Sequence, residues 1–156
     1  MLYFVRPDGT VIGSVQQSSA TSVGYNTTSD ERIKENIVDS ARGIDLLKRI
    51  RVRDYNYIWD PEQQPLQGFI AQELYDIYPQ AVTIGGDDPK TRPWQVDYGK
   101  LTPLLVKSVQ DIKAENEQLK AESAQLRAES AQLRAESAQL KVFLCGQFPG
   151  APMCHP

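Results

Sequence analysis

The sequence predicts an α+β fold in which a small head of short helices and strands precedes a long C-terminal α-helical coiled coil. Between residues 29 and 105, short apolar runs with strand or helix periodicity alternate with turns rich in Gly, Pro and Asp. From residue 106 to 144, the pattern changes to apolar and small residues that recur three and four positions apart, which is typical of a coiled coil. Residues 1–28, a β-hairpin followed by a linker at the end of a parent β-structured fibre, and a loose tail in residues 145–156 complete the predicted organisation.

Length and charge restrict the class of protein. A chain of 156 residues has room for one small domain with extensions, and a net charge of -3 implies no nucleic-acid or anionic membrane surface. No run of residues is long and apolar enough to span a bilayer. Cys145 and Cys154 match no metal or redox spacing, so we expect a reducing compartment, no metal and no cofactor. His155 is the single histidine, and we assign it no role.

Residues 1–15 predict a strand, a turn and a second strand. The turn is Pro7-Asp8-Gly9, where Pro fixes φ and Gly accepts a positive φ. An isolated hairpin is marginal in water, so this piece is expected to be the C-terminal end of a larger β-structured parent protein. Residues 16–28 are polar and are predicted to form an extended linker.

The first part of the head predicts helices followed by a strand. Apolar residues between Asp30 and Ile50 fall three and four positions apart, and Gly43 separates what should be two short helices. The aromatic and β-branched residues of Val52–Trp59 then favour a strand. A loop with two prolines follows.

The second part of the head predicts a helix and a strand pair. Phe69–Tyr78 has helical periodicity and stops before Pro79, and Ala81–Ile84 is expected to pair with Trp94–Tyr98. The aromatic residues are more typical of a core or an interface than of a ligand site. Gln72-Glu73 can line a site but is interpreted as the solvated face of a short helix.

The C-terminal segment carries heptads in which the unit Ala-Glu-Ser-Ala-Gln-Leu-Arg recurs from Ala121. Leu occupies d, whereas Ser occupies a at three successive heptads and forgoes the burial of an Ile or Val, about 1.5–3 kcal/mol each. The coil is therefore weak for its length, and Asn116 with the Ser layers can specify register or strand number, or keep the coil dissociable. Glu at g and Arg at e can pair between neighbouring helices.

Ser29 and Lys34 stand five positions apart where the composition changes. A serine becomes a nucleophile beside a base, and a lysine is such a base when neutral. The spacing alone is common, and the same residues fit a helix cap: Thr28-x-x-Glu31 is a capping box, and Ser29 or Asp30 are capping residue types. Free N–H groups of such a helix start would suit an oxyanion on the preceding carbonyl.

Further motifs resemble one known family. Ser29-Asp30-x-x-Ile33-Lys34 opens the pattern, and the remaining matches follow it in order: Tyr55-Asn56-Tyr57, Gly68-Phe69-Ile70-Ala71-Gln72-Glu73-Leu74, Pro79, Val82, Val96-Asp97-Tyr98 and Leu101. The segment from Ser29 to Val109 resembles the intramolecular chaperone and auto-processing domain at the C-termini of phage tailspikes, tail fibres and endosialidases. A related domain occurs in a membrane-tethered transcription factor of animals.

The resemblance implies a self-cleaving serine peptidase that acts once, on its own chain. Its catalytic residues would be Ser29 and Lys34, and it would cut between Thr28 and Ser29. It also implies a homotrimer formed through head and coiled coil, with the parent fibre as chaperone client and no nucleic acid or membrane as partner. The expected setting is a virion tail fibre precursor assembled in the host cytoplasm. A structural trimerisation and capping module that is never cut fits every feature except the Ser–Lys pair. A coiled-coil scaffold with a partner-binding head ranks behind both.

Overall fold

The computed structural model describes residues 1–150 and 152–154. It separates into two units, Met1–Asp39 and Ser40–Pro156. Short strands in both units and a long C-terminal helix give an α+β fold, as the sequence predicts.

The first unit is a three-stranded antiparallel sheet. Its strands are β1 (Leu2–Val5), β2 (Val11–Ser19) and β3 (Ser22–Thr27), in the spatial order β1-β2-β3. Gly9 takes the positive φ of 86° that the predicted turn requires. The linker predicted for residues 16–28 is wrong, because most of it belongs to the hairpin of β2 and β3. Because these strands are largely exposed, their sequences lack the alternation of apolar and polar residues that predicts a half-buried strand.

Apolar side chains on this sheet face solvent in the single chain. Leu2, Phe4 and Tyr25 are 57 %, 50 % and 82 % exposed, while Ser14 is buried. Within its own unit the sheet therefore lacks an apolar core.

The two helices predicted between Asp30 and Ile50 are reduced to two single turns. One is a 3-10 turn at Glu31–Ile33, and the other is α1 (Ile44–Leu47), which begins directly after Gly43. Helical geometry ends at Lys34, which is extended, and Asn36 then adopts a left-handed φ of 53°. Ile33 and Ile37 are both more than 60 % exposed, so no buried face supports the predicted helix.

The strands and helix of the head are short. The strand predicted over Val52–Trp59 is confirmed as β4 but spans only Arg53–Tyr55. It pairs with β5 (Leu66–Gly68), for which the sequence pattern gives no strand signal. The helix predicted over residues 69–78 is confirmed as α2 but spans only Ala71–Tyr75, followed by a 3-10 turn at Pro79–Ala81. The predicted strand pair is confirmed as β6 (Val82–Thr83) and β7 (Gln95–Val96).

A small core holds the head against the start of the long helix. Its buried residues are Leu74, Tyr78, Ala81, Leu101 and Leu104. Leu101 ends a 3-10 turn at Tyr98–Leu101, and Leu104 lies in the first turn of the helix that follows. The core therefore fixes the position of the helix relative to the head within this unit.

The long helix is α3 (Thr102–Gln147). It contains the whole predicted heptad segment and begins four residues before the predicted start at residue 106. The d-position residues Leu119, Leu126, Leu133 and Leu140 are 55–65 % exposed in the single chain. In the described part of the chain, no helix has the length and apolar character needed to cross a membrane.

A disulfide joins Cys145 to Cys154. The helix extends past Leu144 to include Cys145, and a turn at residues 149–150 precedes a 3-10 turn at Pro152–Cys154. The disulfide contradicts the reducing compartment expected from the cysteine spacing, and the prediction of a loose tail is wrong for the described residues. The spacing of the two cysteines gives no signal of this pairing, which depends on where the helix ends. His155 lies outside the described residues.

Candidate functional site

Ser29 and Lys34 are in direct contact. The Lys34 ammonium donates a hydrogen bond to Ser29 Oγ at 2.7 Å. In an α-helix, side chains five positions apart would point about 140° apart, at 100° per residue. The chain instead makes only the short 3-10 turn Glu31–Ile33, and Lys34 then returns to extended geometry with φ -117° and ψ 148°. The tight turn, rather than a helix, therefore brings the amine back to the hydroxyl.

Asp30 holds this turn in place. Its Oδ1 accepts the N–H of Arg32 at 2.9 Å, and its carboxylate also accepts two side-chain N–H groups of Arg32. The Arg32 guanidinium beside Asp30 lowers the pKa of that carboxyl, and the backbone N–H of Arg32 adds to the effect. Of the three capping alternatives left by the sequence, Asp30 is the cap.

Thr28 does not form the predicted capping box. Its hydroxyl donates to the carbonyl of Val11 at 2.8 Å, and its N–H donates to the carbonyl of Ile12 at 3.1 Å. Both acceptors lie on β2. The residue that precedes Ser29 is therefore attached to the sheet and not to the turn. Nothing in the sequence pattern signals this attachment.

Most N–H groups of the turn are already used. Arg32 N–H donates to the Asp30 side chain, Ile33 N–H to the Asp30 carbonyl and Lys34 N–H to the Glu31 carbonyl. The expectation that a helix start offers free donors to an oxyanion is therefore wrong for these three groups.

The Ser29–Lys34 pair is solvent-exposed in the single chain. A lysine acts as a base only when neutral, and burial is what favours the neutral amine. The geometry required for a nucleophile and base is therefore present without the desolvation that would activate them.

Other residues singled out by the sequence lie elsewhere. Glu73, interpreted as solvated, instead forms a two-point ion pair with Arg53 at 2.6 and 3.0 Å, and this arginine lowers the Glu73 pKa. Tyr57 and Trp59 stack with ring centres 4.5 Å apart on the surface. Within residues 1–150 and 152–154, no group of three His, Cys, Asp or Glu side chains is placed to hold a metal ion.

Comparison with protein families supports the resemblance drawn from the motifs. Residues 29–83 match the model of a peptidase family described as chaperone of endosialidase. The match begins at Ser29 and ends with β6, so the motifs at Val96–Tyr98 and Leu101 lie beyond it. This match supports a chaperone role in fibre assembly. No curated protein sequence matches the chain.

Proposed function

We propose that this chain is an intramolecular chaperone that aligns three copies of a fibre protein and then releases itself by cutting between Thr28 and Ser29. The match of residues 29–83 to the family described as chaperone of endosialidase supports this proposal. The observation that carries the proposal is the contact of 2.7 Å between Lys34 Nζ and Ser29 Oγ. The enzyme is a self-cleaving serine peptidase with a Ser–Lys dyad and a single turnover.

A chaperone of this kind would assist the folding of trimeric β-structures, which is slow and prone to aggregation. Their strands pair through non-local and interchain contacts, which form slowly and expose aggregation-prone edges. A coiled coil forms from local contacts and raises the effective concentration of the attached chains. Removing the helper after folding leaves a product that unfolds slowly and does not re-align.

The cleavage chemistry uses only groups of this chain and one water. Neutral Lys34 accepts the Ser29 Oγ proton while the oxygen attacks the Thr28 carbonyl carbon. The Thr28–Ser29 C–N bond then breaks, Lys34 returns the proton to the Ser29 nitrogen, and an ester joins Thr28 to Ser29 Oγ. Water hydrolyses this ester, which gives a carboxylate at Thr28 and a new N-terminus at Ser29.

The coiled coil brings the copies together through the exposed residues at a and d of α3. Glu129 at g accepts a hydrogen bond from Gln125 at 2.9 Å, and Glu136 accepts the same bond from Gln132. These bonds keep the g carboxylates along the helix, where the basic e residues of a neighbouring helix can pair with them. The homotrimer forms through both the head and the coiled coil. The parent fibre is the client of the chaperone. The protein is the precursor of a virion tail fibre and assembles in the host cytoplasm.

Intact-mass spectrometry of the freshly expressed chain tests the proposal. We expect a C-terminal fragment that begins at Ser29, and no fragment from Ser29→Ala or Lys34→Ala. Lys90→Ala is the matched control, because Lys90 is also exposed and lies in the other unit. A wild-type chain that keeps its full mass after prolonged incubation as a trimer would overturn the enzymatic part.

The alternative is a trimerisation and capping module that is never cut. The exposure of Ser29 and Lys34 in the single chain favours it, because a solvated lysine is a poor base. Persistent full-length trimers in the same experiment would select this function.

A further inference from the structure

The residue on the acyl side of the proposed cut is fixed to the sheet at two points. Thr28 lies one residue beyond β3, yet its N–H and its hydroxyl both donate to consecutive carbonyls of β2, those of Ile12 and Val11. The bond from the Thr28 N–H continues the backbone pairing of β2 with β3, whereas the bond from the hydroxyl is made by the side chain. Such a double anchor restrains the Thr28 nitrogen and Oγ1 together.

This anchor restricts the carbonyl that Ser29 would attack. With the nitrogen and Oγ1 held, the torsion ψ of Thr28 is the remaining soft rotation between the sheet and the planar Thr28–Ser29 peptide. On the other side of that peptide, the Asp30–Arg32 contacts hold the turn that delivers Lys34. The electrophile is therefore positioned by the sheet, and the base is positioned by the turn.

We propose that Thr28 is a positioning residue, and that cleavage requires the pairing of β2 with the end of β3. This inference rests on the proposed function and adds a regulatory step to it. The sheet that belongs to the released product would itself place its last carbonyl against Ser29. A chain whose final strands have not paired would stay uncut, even with Ser29 and Lys34 in contact.

Rates of cleavage in three variants test the role of the hydroxyl. Thr28→Val keeps the shape and removes the donor, and we expect about a 2- to 10-fold slower cleavage, the range of one hydrogen bond. Thr28→Ser keeps the donor and should cleave near the wild-type rate. Thr27→Val is the matched control, because Thr27 pairs with Gly13 through its backbone and neighbours the site. Wild-type rate in Thr28→Val, or equal slowing in Thr27→Val, would overturn the proposal.

A backbone variant tests the pairing itself. A Cβ on Gly13 would lie 2.7 Å from the backbone oxygen of Asn26, so Gly13→Ala must push β2 from β3 beside Thr28. Cleavage should slow further than in Thr28→Val, whereas Gly146→Ala, with nothing within 4 Å of its new Cβ, should cleave normally. Unchanged cleavage in Gly13→Ala would contradict the requirement for paired strands.

Hydrogen exchange separates this inference from the proposed function. In the uncut Ser29→Ala chain, the Thr28 amide should be protected, and Thr28→Val should reduce that protection. An unprotected Thr28 amide overturns the anchor whether or not the wild type cleaves. A protected amide in a wild-type chain that never cleaves overturns the proposed function, and with it the role of Thr28 in catalysis.

Discussion

The carboxylate of Asp111 in α3 accepts the backbone N–H of Ile44, the first residue of α1, at 3.0 Å. Its other oxygen pairs with Lys107 one turn earlier on the same helix. A Cβ on Gly43 would collide with Asp111 Oδ2, which explains the glycine before α1. Residues far apart in sequence are thus joined where the head meets the long helix.

Stability that depends on Asp111 should disappear in acid. The Lys107 ammonium, followed by the Ile44 N–H, lowers the pKa of Asp111 in the folded chain. Its contribution is therefore complete above the unfolded value, near 3.9 for an aspartate, and is lost as pH falls through the lower folded pKa. We expect the urea midpoints of wild type and Asp111→Asn to differ at neutral pH and to converge in acid.

Asp111→Ala is the companion variant. It removes the acceptor for Ile44 as well as the charge, so it should destabilise the head more than Asp111→Asn at neutral pH. Equal midpoints for the two variants would show that the bond to Ile44 contributes nothing.

The coil should carry oligomerisation. Leu126→Ser with Leu133→Ser removes two apolar layers, each Leu contributing about 1.5–3 kcal/mol when buried, and should give monomers that do not cleave. Light scattering measures the mass. Ala128→Ser with Ala135→Ser at the outer f positions is the matched control and should remain trimeric. An unchanged trimer in the leucine variant would assign assembly to the head, and efficient cleavage by its monomer would show that assembly does not control cleavage.

Cleavage should accelerate as pH rises. Only a neutral amine accepts a proton, and raising the pH favours the neutral form of any amine, so the first-order rate should increase with pH. Lys34→Arg should be inactive, because a guanidinium stays protonated. The rate is followed by gel densitometry at fixed protein concentration. A flat pH profile, or activity in Lys34→Arg, would contradict the role of Lys34 as the base.

The disulfide should protect the C-terminal end of α3 and the turn that follows it from proteolysis. Phe143 is 63 % exposed and lies two residues before Cys145, whose bond to Cys154 closes the turn. Chymotrypsin should therefore cut after Phe143 faster in the presence of a thiol reductant. A chain with both cysteines replaced by serine should be cut quickly with or without reductant. No effect of reductant on the wild type would show that the bond does not order the turn.

The sequence predicted the elements that local pattern determines. The heptads predict α3 except for four residues at its start and three at its end, and alternating apolar residues around a Gly-rich turn predict β6 and β7. The helix predicted from periodicity between Asp30 and Ile37 is wrong. Isoleucines at helical spacing stabilise a helix only when they pack against other residues, and here they are exposed.

The candidate site was located by resemblance rather than by spacing. Ser29 and Lys34 meet because the chain leaves helical geometry, which an analysis based on helical spacing does not anticipate. The anchoring of Thr28 on β2 and the cysteine pairing both depend on tertiary placement, so no local pattern reports them.

The repeated heptads of α3 leave the alignment of parallel helices ambiguous. Sliding one helix past another by one heptad, about 10.5 Å at 1.5 Å per residue, sets Leu126 opposite Leu133 and exchanges one Ser layer for an identical one. Within the repeats, the shifted and correct alignments therefore have the same contacts. Val109, Ile112 and Asn116, at the end of the helix nearest the head, break this equivalence, and so does Leu144 at the far end. A staggered bundle would be penalised only at these two ends, so in the proposed fibre assembly the layers next to the head help to determine whether the attached strands start at the same level.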